Sequence, residues 1–140
     1  MSATFILDCS ITMTWCFGDE ATRASSVILD RLERETALVP PHWFLEVTNV
    51  LAMAEKRRRI APTASAEFLG FLGAFDVEVD DEPASRVFSQ LLPLCRTHRL
   101  TSYDAAYLEL AVRRQLPLAS LDSDLRAGAE QLGVSVLGME

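Results

Sequence analysis

Lysine is almost missing from this chain. Lys56 is the single lysine among thirteen basic side chains, which face twenty acids for a formal net charge of −7. Such a balance argues against a broad cationic surface that would hold nucleic acid by charge alone. It leaves room for a cation pocket, since carboxylates gathered in one place repel one another until a cation joins them. Cysteine is scarce and odd in number: Cys9, Cys16 and Cys95, with no C-x-x-C pair. A disulfide framework and a zinc site are both disfavoured, and a reducing cytoplasm fits. Cys16 and Cys95 fall at apolar positions of predicted helices, as small core residues do. No apolar run approaches the roughly 20 residues of a membrane span, so no membrane partner is expected. No basic region precedes the first apolar residues, as a signal peptide would require. There is no glycine-rich phosphate loop. The two histidines, His42 and His98, lack acid–nucleophile partners, and His98 is expected at the surface. A receiver-type acidic pocket would need a lysine after a late strand, where Lys56 does not lie. A phosphatase with Asp-x-Asp after its first strand would need an acid at Ser10.

What is present is ordinary globular material. At 140 residues, 49% hydrophobic and 24% charged, the chain is long enough for one domain over 1–140 with one core. A first strand is expected over 1–7, its apolar run Phe5-Ile6-Leu7 ending in Asp8-Cys9-Ser10, then a helix over 11–17. An amphipathic helix over 21–34 puts Ala24, Val27, Ile28 and Leu32 on one side. Ala37-Leu38-Val39 reads as a second strand, stopped by Pro40-Pro41. The clearest helix covers 43–58, with Trp43, Phe44, Val47, Val50, Leu51 and Ala54 as its apolar face. It ends in Lys56-Arg57-Arg58-Arg59, where the helix dipole favours positive charge. That role is preferred over a nucleic-acid contact. Pro62 opens an oily helix with Ala64, Phe68, Leu69, Phe71 and Leu72. Phe75-Asp76-Val77-Glu78-Val79 alternates like a half-buried edge strand, and the acids Asp80, Asp81 and Glu82 read as a solvated loop. A helix over 84–99 carries Val87, Phe88, Leu91, Leu92 and Cys95, with Pro93 expected to kink or divide it. Thr101 or Ser102 caps a helix running to about Arg114. A strand over 117–121, a helix over 125–132 and a strand over 134–137 complete the pattern. Short apolar strands alternating with helices imply an α/β fold: a mostly parallel sheet of about five strands covered on both faces.

Four acids share a placement in that pattern. Asp8 and Asp122 follow strands at their C-terminal ends. Glu46 and Asp104 lie in first turns of helices that follow loops on the same side. Open parallel sheets bind ligands in the crevice beyond their strand C-termini. A helix cap explains any one of these acids, and for Asp8 alone it is an even alternative. It does not explain four in one crevice, nor an acid within the oily Tyr103-Asp104-Ala105-Ala106. An oxygen-only site of this kind suits Mg²⁺ or Mn²⁺ rather than zinc. One ion can activate a water, and two can clamp both oxygens of a phosphodiester under cleavage. Asn49, beside Glu46 on the helix, could hold a water or a phosphate oxygen. Ser10 and Ser120 could orient the carboxylates of Asp8 and Asp122.

On these residues the chain resembles the PIN domain, and within it the VapC-type toxins of toxin–antitoxin pairs. The resemblance spans nearly the whole chain. It is carried by Leu7-Asp8-Cys9-Ser10, by Glu46-x-x-Asn49, by Leu100-Thr101-Ser102-Tyr103-Asp104-Ala105-Ala106-Tyr107-Leu108, and by Leu118-Ala119-Ser120-Leu121-Asp122-Ser123-Asp124-Leu125. It implies a PIN-like fold and a Mg²⁺-dependent ribonuclease acting on RNA, usually a homodimer, silenced by a cognate antitoxin that lays a C-terminal segment over the acidic site. The family's acids map onto Asp8, Glu46, Asp104 and Asp122. Asp124 competes for the last position, although Ser120-Leu121-Asp122 matches the family spacing better. The lack of a broad basic surface departs from a nucleic-acid binder. It leaves affinity for RNA to the metals, to Lys56-Arg57-Arg58-Arg59, and to Arg113 and Arg114. Two rivals stand beside this reading: a non-catalytic module whose acidic crevice holds a basic partner peptide, and a nuclease acting on DNA.

Overall fold

The computed structural model describes residues 2–138, so Met1 of the expected first strand and residues 139–140 lie outside the described part. Five strands alternate with seven α-helices: β1 (Ala3–Leu7), α1 (Cys9–Thr14), α2 (Arg23–Leu32), β2 (Thr36–Val39), α3 (Trp43–Lys56), α4 (Pro62–Leu72), β3 (Val77–Val79), α5 (Ala84–His98), α6 (Ser102–Arg114), β4 (Leu118–Ala119), α7 (Ser123–Gln131) and β5 (Val136–Leu137). A short 3-10 turn, Gly18–Glu20, sits between α1 and α2. The strands form one sheet in the order β3-β2-β1-β4-β5. Every pairing is parallel, with Ile6 beside Leu38 and Leu118, and Leu7 beside Ala119.

Phe5, Ile6 and Leu7 are all fully buried, as are Ala37, Leu38 and Val39. Successive strand residues point to opposite faces, so both faces of the central strands are covered, which is why these strands read as unbroken apolar runs. Trp43, Val47 and Leu51 of α3, Ala105, Leu108 and Ala111 of α6, and Leu125 and Ala129 of α7 join the same core. Trp43 Nε1 also donates to Thr12 Oγ1 at 3.3 Å, seating α3 on α1. Among the described residues, no helix is long and apolar enough to cross a membrane.

The order 3-2-1-4-5 places a topological switch between β1 and β4. The connections leaving these two neighbours turn to opposite sides and open a crevice at their C-terminal ends.

Several local expectations are corrected. Val27, Phe44, Phe88 and Leu92, expected on the apolar faces of their helices, are exposed, and so are Leu69 and Phe71 of the oily helix, which could have covered the core or carried a dimer contact; a periodic apolar face is wider than the strip that finds a partner. Pro93 does not divide α5, which continues as one helix through it. Pro93 is exposed, so the carbonyl that loses its partner one turn earlier can turn to water. The Asp80 end of the acidic loop is not solvated. Arg113 Nη2 donates to its Oδ2 at 2.7 Å and Arg113 Nη1 to its Oδ1 at 3.2 Å, and the same guanidinium holds the buried Glu109. Arg113 is therefore committed inside the fold and is no free contact for RNA. His98, expected at the surface, is half-buried against α7, its Nδ1 3.0 Å from Gln131 Oε1.

Candidate active site

β1 ends directly in Asp8. This residue occupies the N-cap position of α1, yet its side chain makes no capping bond. Its Oδ2 instead accepts from Ser10 Oγ and from Ser120 Oγ, each at 2.7 Å. The serines are tied in turn: Leu121 N donates to Ser10 Oγ and Asp122 N to Ser120 Oγ. Both hydroxyls thus orient Asp8, and neither bonds the Asp122 carboxylate as expected for Ser120. Asp8 is 4% exposed. Burial pushes its pKa up, the two serine hydroxyls pull it down, and the charge of Asp122 pushes it up again.

α6 starts at a cap supplied by Thr101, whose Oγ1 accepts from Asp104 N at 3.2 Å. With the cap provided from outside, the Asp104 carboxylate is left to the crevice. Its pKa is raised to about 6, first by burial and then by the charges of Asp122, Asp8 and Glu46. Glu46, in the first turn of α3, accepts from Tyr107 Oη at 2.5 Å. Burial raises its pKa, the phenol lowers it, and Asp8 raises it. Asp122 is the N-cap of α7, its Oδ1 accepting from Leu125 N at 2.9 Å.

Asp8, Glu46, Asp104 and Asp122 line one cleft of about 540 Å³, together with Ser10, Asn49, Cys9 and Glu20. Ser120 lies buried beneath it, bonded to Asp8. Asp124 is exposed in the first turn of α7 and does not line the cleft. Three lining or supporting residues had no warning in the sequence. Glu20 falls between the helices expected over 11–17 and 21–34; here Arg59 reaches from the end of α3 to bond it at 2.6 Å, with its guanidinium over the Phe17 ring. Arg59, like Arg113, is already paired, which leaves Lys56, Arg57, Arg58 and Arg114 exposed. Cys9 is buried beside Asp8, and burial pushes its thiol pKa well up, so it stays protonated. Tyr107 lies three residues beyond Asp104, a spacing that puts both on one side of α6.

The donor set fits a hard divalent cation. It consists of carboxylate oxygens with an amide and hydroxyls near them, and the sulfurs in its lining are the protonated Cys9 thiol and the Met13 thioether, neither a ligand for such an ion. Asp104 is raised by the charges of Asp122, Asp8 and Glu46, Glu46 by that of Asp8, and Asp8 by that of Asp122. Among the described residues no three of them meet closely enough to form a finished cage.

A family model described as the PIN domain matches residues 5–131. Among solved structures, the chain is similar to PAE2754 from Pyrobaculum aerophilum, with 21% identity, a TM-score of 0.69, and coverage of 96% of this chain and 83% of that one. It is likewise similar to FitAcB from Neisseria gonorrhoeae, with 16% identity, a TM-score of 0.66 and coverage of 96% of both chains. At these identities the likeness is one of fold. No curated protein matches. A parallel five-stranded sheet with carboxylates at its switch point, matched from β1 through α7, makes the chain a member of the PIN domain family, whose members are generally metal-dependent nucleases.

Proposed function

We propose that this chain is a Mg²⁺-dependent endoribonuclease of the VapC type, a single domain over 1–140 acting in the cytoplasm. In this reading it is the toxin of a toxin–antitoxin pair, held inactive by its cognate antitoxin. The observation that carries the reading is the convergence of Asp8, Glu46, Asp104 and Asp122 on one cleft at the sheet's switch point. These four would hold Mg²⁺, or Mn²⁺, through carboxylate oxygens. The bound ion supplies Lewis acidity toward a phosphodiester. The chain supplies the rest. Ser10 and Ser120 hold Asp8 in one orientation. Thr101 caps α6, so Asp104 is spared that duty. Asn49 offers an uncharged amide at the rim for a water or a phosphate oxygen. A homodimer is supported by the large apolar side chains left in water: Phe44 and Leu45 on α3, Leu69 and Phe71 on α4, Phe88 and Leu92 on α5.

The decisive experiment incubates purified protein with RNA, and separately with DNA, in Mg²⁺ or Mn²⁺. RNA is cut, a chelator stops the reaction, and Asp104→Asn loses at least 100-fold in rate while keeping its fold. An Asp104→Asn variant of full activity removes the site assignment. Equal or faster cutting of DNA moves the reading to the other nucleic acid. A chain that cuts neither, takes up no metal and binds an arginine-rich peptide is the non-catalytic module.

A further inference from the structure

Among the described residues, Tyr107 has the bulkiest side chain to be completely buried. A buried phenol needs a hydrogen-bond acceptor, and a backbone carbonyl would serve. Here the acceptor is Glu46 Oε1 of the site. Tyr107 lies one turn beyond Asp104, so α6 carries one acid into the cleft and grips a second that belongs to α3. The grip has a second side. The His42 ring stands edge-on to Tyr107 with centroids 5.3 Å apart. Its Nε2 lies 3.0 Å from the Tyr103 carbonyl oxygen and 3.6 Å from the same Glu46 Oε1. A long, half-exposed glutamate side chain would otherwise sample several rotamers.

We infer that Tyr107 is a positioning residue: its hydroxyl fixes the Glu46 carboxylate so that Oε2 is the oxygen offered to the cleft. The inference rests on the nuclease reading above and deepens it. Packing alone would be served equally by phenylalanine, so the hydroxyl is the group to remove. Partners of this kind, bonded behind a metal-binding carboxylate, change metal affinity or activity by 10–100-fold when lost.

The test compares wild type, Tyr107→Phe, Glu46→Gln and the double variant in two assays: calorimetric Mn²⁺ binding without RNA, and RNA cleavage. Tyr107→Phe melts within a few degrees of wild type, binds Mn²⁺ roughly tenfold more weakly, and loses kcat with KM for RNA unchanged. In the Glu46→Gln background the same change costs nothing further. Glu46→Asp, which draws back from the phenol without touching the core, gives a second background, in which Tyr107→Phe again costs nothing. Wild-type Mn²⁺ affinity and kcat in Tyr107→Phe, or losses that simply add, overturn the inference and leave the nuclease reading standing. A wild-type chain that neither takes up Mn²⁺ nor cuts RNA brings down that reading, and this inference with it.

Discussion

Asp104 bears a cost that a solvated aspartate does not. Its folded pKa of about 6 stands above the ordinary 3.8, so the folded chain holds this proton more tightly than the unfolded one. Stability from this group is therefore greatest on the acid side, declines as pH rises from about 4 through about 6, and is fully lost above that. The site is half-exposed and solvent screens it, so the penalty is on the order of 1 kcal/mol at neutral pH. Asp104→Asn should thus melt about 3 °C above wild type at pH 7 in chelator and match it at pH 4, as thermal melts across that range will show. The oddity of an acid in an oily helix was visible in the residues themselves, because helical spacing and a nearby cap are local facts. Ser10 bonds Asp8 as expected, but the target of Ser120, Asp8 rather than Asp122, was not visible. That both hydroxyls bond one oxygen of Asp8 depends on β1 and β4 being neighbours.

Among the elements, α6 is anchored by a partly buried ion-pair network. Arg113, near its C-terminus, bonds Glu109 on the same helix and Asp80 after β3, and both carboxylates are about 10% exposed. Arg113→Ala strands two nearly buried acids. The loss should be roughly 2 kcal/mol, below the 3–5 of a fully buried pair because Arg113 is itself a quarter exposed; the midpoint of a urea titration reads it. Gly138, just past β5, is a second sensitive point. Its φ is +92°, and an added Cβ would stand 2.6 Å from Ile11 Cδ1, in the core beneath the site. Gly138→Ala should cost about 2 kcal/mol from strain and overpacking. Activity should fall with it, since Ser120 N bonds the neighbouring Leu137 carbonyl oxygen. Element type was legible along most of the chain, since short apolar runs and 3.6-residue periodicity are local. Boundaries slipped by one to three residues at α1, α2 and α7, where caps decide. Arg113 and Asp80, distant in sequence, gave no sign of pairing.

At the scale of the whole molecule, an acidic protein with Asp8, Glu46, Asp104 and Asp122 in one cleft should be stabilised by the ion that fills it. If Mg²⁺ binds only the folded state, a concentration 100 times Kd adds about 2.7 kcal/mol. The melting temperature then rises with Mg²⁺, returns with chelator, and does not follow NaCl of equal ionic strength. The sheet class was legible because fully buried parallel strands are continuously apolar. Which helix faces stay in water was not, since that depends on neighbours the periodicity does not name.

The pairing of β1 with β4 has a consequence in time. Asp8 is held by Ser120, 112 positions later in the chain, and Ser10 by Leu121 N, 111 positions later. During synthesis Asp8 emerges before Glu46, and β4 only long after β1. Until then β1 has one open edge and Asp8 lacks one of its two hydroxyl partners. Closing so long a loop is among the slower steps of folding. The nascent protein therefore carries Asp8 and Glu46 for a long stretch of synthesis before Asp104 and Asp122 are made, and the cleft is assembled only when β4 docks against the first strand.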